Sequence, residues 1–154
     1  MYGDGMTKLK GQIDTIQKTV CNQYAAEYVP AHDEAKTGFA LSTKGLITIN
    51  GLRHPVSDDM SGWYIWCGEV FSESSDFFSP LHTYHIHEDY PEIGCLLGLP
   101  PGYRFLLAGR LSGRLVRCLS LKCLVKTLAY FRPALVYNPR RDSGRVTRPS
   151  GSSL

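Results

Sequence analysis

The run SGWYIWCGE at residues 61–69 decides the fold of this chain. Large aromatic and aliphatic side chains follow one another from Trp63 to Cys67, which is typical of a β-strand. Successive side chains of a strand point to opposite faces, so the run predicts a strand with two different faces. We expect Trp63, which shares a face with Ile65, to fill the core and Trp66 to lie on the opposite face.

Upstream of this strand, residues 8–28 have a helical pattern. Leucine, isoleucine, valine and tyrosine recur there every three or four residues, which places them on one face of a helix. Pro30 ends the pattern because proline disfavours helical backbone in the residue before it. Two short strands are predicted next, at Phe39–Ser42 and Leu46–Ile49, followed by a turn at Asn50-Gly51.

Downstream, residues 72–80 are predicted to form a loop that contains acidic residues and an aromatic pair. Pro91 suits the first position of a short helix, and Gly98 ends it. A turn at Pro101-Gly102 then leads into a strand at Tyr103–Leu107. The order of elements predicts an α+β domain with a mostly antiparallel sheet, an N-terminal helix and a short second helix.

The charge of the chain reverses at about Gly109. Residues 1–109 contain seven Lys and Arg against thirteen Asp and Glu, a net charge of −6. Residues 110–154 contain ten Lys and Arg against a single acid, Asp142, a net charge of +9. A difference in net charge of this size between two parts of a chain usually marks separate functional elements. We therefore predict a working domain at residues 1–109 and a basic tail at residues 110–154 that is disordered or non-native.

The composition argues against secretion and against a membrane span. The first residues have neither the basic nor the apolar segment of a signal peptide. No run of about 18 apolar residues is present, and the cysteines form no C-x-x-C pair. These features predict a cytoplasmic protein with reduced thiols. The five cysteines are Cys21, Cys67, Cys95, Cys118 and Cys123.

No arrangement of residues indicates catalysis, a bound metal or a cofactor. The most suggestive group is His82, His85 and His87. On a strand, His85 and His87 would share a face and hold one metal ion, with an oxygen ligand from Glu88 or Asp89. The spacing of the three histidines matches no standard zinc site. A small metal-dependent enzyme that uses them is therefore kept as an alternative and not as the main interpretation.

The basic tail offers a second alternative. Its arginines include Arg140, Arg141, Arg145 and Arg148. Arginine-rich segments bind phosphate backbones without regard to sequence, and with an affinity that falls as salt rises. Binding of nucleic acid through the tail is therefore the other alternative function.

A protein-binding site is predicted where carboxylates surround an outward-facing aromatic residue. Aromatic side chains in such settings are common energetic centres of interfaces. The net charge of −6 on residues 1–109 also suits a basic partner such as a nuclease. The predicted partner-binding residues are Asp58, Asp59, Trp66, Glu69, Glu73 and Asp76.

Two motifs together resemble a known family. The first is the run at residues 61–69, after the acidic Asp58-Asp59, and the second is the run LPPGYRFL at residues 99–106. Their order over residues 39–107 resembles the small bacterial immunity proteins of polymorphic toxin systems, whose domain was long catalogued as one of unknown function. The resemblance implies a protein that binds and neutralises a cognate toxin without catalysis. It assigns motif positions to Ser61, Gly62, Trp63, Gly68, Glu69, Pro91, Leu99, Pro100, Gly102 and Phe105.

The resemblance stops after Leu107. In that family the core strand continues into a segment similar to Asp-Tyr-x-Asp-Val-Trp-Phe-Asp, whereas this chain continues with RLSGRLVRC at residues 110–118. One possible coding of those residues, read one base later, gives Asp-Tyr-Gln-Asp-Val-Trp-Phe-Asp. We therefore hypothesise that a frameshift near Gly109 replaced the native C terminus.

Overall fold

The computed structural model describes residues 3–111 and 123–127. Three α-helices, one 3-10 helix and six strands lie within these residues. None of the described helices is long and apolar enough to cross a bilayer. In chain order the elements are α1 (Gly3–Gln23), β1 (Lys36–Phe39), the 3-10 helix (Leu41–Thr43), β2 (Ile49–Arg53), β3 (Met60–Cys67), β4 (Ser79–His82), α2 (Thr83–Asp89), α3 (Pro91–Gly94), β5 (Tyr103–Leu107) and β6 (Cys123–Thr127).

The six strands form one sheet in the order β4-β1-β3-β2-β5-β6. Strands β1 and β3 are parallel, and every other neighbouring pair is antiparallel. The prediction of an α+β domain with an N-terminal helix and a mostly antiparallel sheet is confirmed. Strand β6 comes from the predicted tail and pairs with β5 along all five residues.

The hydrophobic core lies between the helices and one face of the sheet. Strand β3 contributes Trp63, Ile65 and Cys67, all fully buried, as its alternating pattern predicts. The indole Nε1 of Trp63 also donates a hydrogen bond to the carbonyl oxygen of Leu97, at 3.2 Å. The other large residues of this core are Ile13, Val20, Phe39, Ile49, Ile86, Ile93, Leu96, Leu97, Leu99, Phe105 and Leu107.

The predicted turn at Asn50-Gly51 is wrong, because both residues lie inside β2. The Asn50 side chain donates a buried hydrogen bond to the carbonyl of Gly68, at 2.9 Å. The ring of Phe105 packs against Gly51, in the space that a side chain would need. An added Cβ at Gly51 would lie 2.1 Å from Phe105 Cε1. Both turn-forming residues are therefore retained in a strand by tertiary contacts.

The two strands predicted before β3 are also displaced. The first runs from Lys36 to Phe39, and the chain then enters the 3-10 helix at Leu41–Thr43. The second begins only at Ile49. Leu46 and Ile47 instead lie in an exposed turn ahead of β2, with 52% and 58% of their surface accessible.

A buried arginine joins β2 to two distant loops. Arg53 is 1% exposed. Its guanidinium NH1 donates to the carbonyl oxygens of Val29 and Leu99, and its Nε donates to that of Ser61. Burial lowers the pKa of Arg53 to about 10. The side chain therefore fixes the loop after α1 and the loop before β5 against the centre of the sheet.

Candidate functional site

The face of the sheet opposite the core carries a cluster of aromatic rings. Trp66 lies edge-on to Phe71, with ring centroids 5.2 Å apart. Phe78 lies at the centre, 5.2 Å from Tyr64 and 4.8 Å from Phe77. Trp66 is partly exposed, which confirms that it faces away from the core. We call this group, Tyr64, Trp66, Phe71, Phe77 and Phe78, the aromatic face.

Exposed aliphatic side chains continue the aromatic face at one end of the sheet. Val70 is 76% exposed, and Phe71 is 50% exposed. Leu46 and Ile47 lie beside them, because Leu46 packs on Gly68, where an added Cβ would meet Leu46 Cδ1 at 2.8 Å. We call Leu46, Ile47 and Val70 the apolar rim. Large apolar side chains grouped on a surface mark interaction sites.

The backbone beneath this rim is strained. Thr48 has a φ of 77°, which is unfavourable for a β-branched residue. Two backbone hydrogen bonds of 2.8 Å hold it, one from its N–H to the carbonyl of Gly109 and one to its carbonyl from the N–H of Gly68. Strained backbone is concentrated at functional sites, so this observation also directs attention to the rim.

Three carboxylates border the aromatic face on the loop between β3 and β4. Glu69, Glu73 and Asp76 are all exposed. Ser74 donates a hydrogen bond to Asp76, which lowers the pKa of that carboxyl group. Among the described residues no lysine or arginine forms an ion pair with any of the three. We call residues 69–76 the acidic loop.

The other two predicted partner-binding acids lie elsewhere. Asp58 and Asp59 precede β3, whereas Glu69 follows it, and a strand of eight residues spans about 25 Å. Asp59 forms an ion pair with Lys36 at 2.5 Å, which lowers the pKa of Asp59. The structure therefore brings Trp66 together with the acidic loop and leaves Asp58 and Asp59 at the far end of the sheet.

The histidines do not share a strand face, so that expectation is wrong. His82 ends β4, and His85 and His87 belong to α2, where residues two apart point in different directions. His87 is buried, and its Nδ1 lies 3.6 Å from Asp33. Burial lowers the pKa of His87. Within residues 3–111, no three His, Cys, Asp or Glu side chains are arranged to hold a metal ion.

The motif residues occupy positions where the fold needs them. Gly62 has a φ of 85°, and an added Cβ would lie 2.1 Å from the carbonyl oxygen of His54. The Ser61 hydroxyl lies 2.8 Å from that of Thr37, between strands β3 and β1. Trp63, Leu99 and Phe105 are core residues, Pro91 begins α3, Pro100 and Gly102 belong to the turn before β5, and Gly68 and Glu69 follow β3.

Sequence reasoning missed the contributions of Arg53 and of the apolar rim. An arginine beside Leu52 in a strand gives no sign that it will be buried. The exposed Leu46 and Ile47 were predicted to be strand residues because their apolar character is that of a strand. The tail arginines Arg140, Arg141, Arg145 and Arg148 lie outside the described residues.

The geometry defines a small α+β domain in which helices pack on one face of the sheet and the other face carries partly exposed aromatic residues. A model of the Imm33-like domain matches residues 16–112, which is more than half of the chain. The chain therefore belongs to the Imm33-like family. Searches of curated proteins and of solved structures give no match.

Proposed function

We propose that this protein is a cytoplasmic immunity protein that binds a cognate toxin of a polymorphic toxin system and neutralises it without catalysis. Membership of the Imm33-like family supports the class of function. The observation that carries the proposal in the structure is the aromatic face with its bordering carboxylates.

The aromatic face has the physical properties of an interface centre. Aromatic side chains bury large areas at little cost in conformational entropy, and they dominate binding energy when a partner excludes water from them. The five rings form one connected cluster, which is a preorganised surface, so little ordering is required on binding. The apolar rim enlarges the same surface.

The charge of the domain favours a basic toxin. Residues 1–109 have a net charge of −6, and the acidic loop concentrates part of it beside the rings. Opposite charge on two partners speeds their association and selects against wrong partners.

The proposal predicts a toxin gene beside the gene of this protein, and it is tested with that toxin. Co-expression should protect cells from that toxin, and the purified pair should form a complex measurable by calorimetry. Phe71→Ala should weaken the complex by about 2 kcal/mol, roughly 30-fold, because it removes the most exposed ring of the aromatic face.

Two valines provide a matched control. Val70→Asn changes the apolar rim. Val56→Asn makes the same substitution at another exposed valine, 58% accessible, in the loop between β2 and β3. We expect Val70→Asn to weaken binding and Val56→Asn to leave it unchanged. Equal effects of the two variants, or a complex that forms without protecting cells, would contradict the proposal.

We further propose that the working unit is residues 1–109, to which β6 adds only an edge strand, and that the tail follows a change of reading frame near Gly109. The match to the family, which ends at residue 112, supports a boundary there. Residues 110–118, on which the frameshift hypothesis depends, lie outside the described residues except for 110 and 111. Sequencing the gene tests the hypothesis, which fails if the shifted frame encodes no acidic-aromatic segment.

A further inference from the structure

We propose that the aromatic face and the acidic loop together accept arginine side chains of the partner. The guanidinium groups would stack on the exposed rings and pair with Glu69, Glu73 and Asp76. This inference rests on the proposed function, because it names the chemistry of the partner at the same surface.

Among the described residues, three rings outside the aromatic face each have a cation over them. Lys18 lies 5.4 Å from the ring centroid of Tyr28, and Lys44 lies 5.0 Å from that of Tyr90. Arg53 lies 5.6 Å from the Trp63 ring. Across the described residues, none of the five rings of the aromatic face has a cation over it. Phe71, which is 50% exposed, is the ring of this cluster most accessible to a cation from outside.

The carboxylates of the acidic loop are likewise available. Two acids elsewhere in the domain pair with its own lysines, Asp33 with Lys10 and Asp59 with Lys36. The loop between β3 and β4, residues 68–78, contains three acids and no lysine or arginine, and none of the three acids meets a basic side chain among the described residues. An uncompensated acidic border around exposed rings is complementary to a cationic partner.

Arginine fits this combination better than lysine or a purely apolar segment. Its planar guanidinium stacks on aromatic faces and binds a carboxylate through two hydrogen bonds at once. A lysine ammonium is more strongly hydrated and has no flat surface to stack. A second copy of this chain is disfavoured as the occupant, because it would bring two acidic loops together.

The experiment uses the full-length chain and two capped peptides, tetra-arginine amide and tetra-lysine amide. Binding is followed by the fluorescence of Trp66, obtained as the difference between the parent protein and Trp66→Phe. The arginine peptide should bind about fivefold more tightly than the lysine peptide, since each stacked guanidinium contributes about a two- to fivefold gain.

Substitutions separate stacking from charge. Phe71→Ala should reduce the preference for arginine over lysine, whereas Glu69→Gln with Glu73→Gln should weaken both peptides. The matched control is Glu27→Gln with Glu34→Gln, two exposed acids away from the rings, which should change neither peptide. Equal binding of the two peptides, or equal effects of the control and the test pair, would overturn the inference.

Two further outcomes are decisive. Protection from the toxin without arginine-peptide binding would overturn this inference while leaving the proposed function intact. If the protein binds the arginine peptide selectively but recognises no toxin, the result would support the arginine site and contradict the proposed immunity function. If Trp66 emission shifts on raising salt in the absence of peptide, and Arg140→Gln with Arg141→Gln abolishes that shift, the basic tail of this chain occupies the site and the inference of an external partner fails.

Discussion

Replacing Arg53 by methionine tests what holds the loops of this domain against its sheet. The guanidinium of Arg53 donates hydrogen bonds to three carbonyl oxygens, those of Val29, Ser61 and Leu99. Methionine has a similar volume and no donor. The substitution therefore leaves three acceptors in the interior without the partner that they have in the native protein.

The expected loss of stability is about 3 kcal/mol. Each buried acceptor that loses its donor costs about 1–3 kcal/mol, and the lost contact with the Trp63 ring adds about 1 kcal/mol. Removing the buried charge offsets part of this sum. The lowered pKa of Arg53, about 10, shows that burial disfavours its charged form.

The free energy of unfolding should be measured by urea titration followed by circular dichroism. Fluorescence is unsuitable, because removing Arg53 from the Trp63 ring would change the emission of Trp63 in the folded protein itself. The matched control is Arg104→Met on β5, where the arginine is partly exposed. We expect a loss within about 0.5 kcal/mol for the control. A loss below about 1 kcal/mol for Arg53→Met, or equal losses for both variants, would refute the role assigned to Arg53.

Three further predictions concern individual positions, each checked by urea unfolding. Thr48→Gly should raise the unfolding free energy by about 1 kcal/mol, since glycine tolerates a φ of 77°; a decrease would contradict the assigned strain. Gly62→Ala should lower it by more than about 2 kcal/mol, because its Cβ would meet the His54 carbonyl. His87 has a pKa lowered from 6.5 by burial, so the unfolded chain binds its proton more readily. Stability should fall as pH drops below about 6.5, and His87→Leu should reduce that fall; an unchanged pH profile would exclude His87 as its source.

The sequence predicts the helix and the strands whose patterns are local. The period of α1 and the alternation of β3 come directly from side-chain spacing, and the structure has both elements. Helix α1 ends at Gln23 rather than near Tyr28. The boundary moved because Ala25 adopts a φ of 50°, which no propensity of alanine indicates.

The parts that could not be predicted depend on partners distant in sequence. Asn50 and Gly51 have the composition of a turn, but Gly68 and Phe105 hold them in a strand. The histidine run has the alternation of a strand, and yet α2 packs Ile86 into the core and carries the histidines with it. The candidate site was half predicted for the same reason. Trp66 and the acids after it are local to one strand and its loop, whereas Leu46 of the apolar rim joins them only through its contact with Gly68.

Strand β3 makes stability and binding separable in this protein. Trp63 and Trp66 are three residues apart, and an odd separation in a strand places them on opposite faces. Trp63 is fully buried under the helices, while Trp66 belongs to the aromatic face. A shift of one residue in the pairing of β3 would exchange the two faces and bury the surface that we propose for binding. The register is fixed where β3 meets β2, with Ile65 opposite Gly51 and Trp63 opposite Arg53. The space that Gly51 leaves for Phe105 and the carbonyls that Arg53 binds therefore stabilise the one register in which Trp66 faces outward.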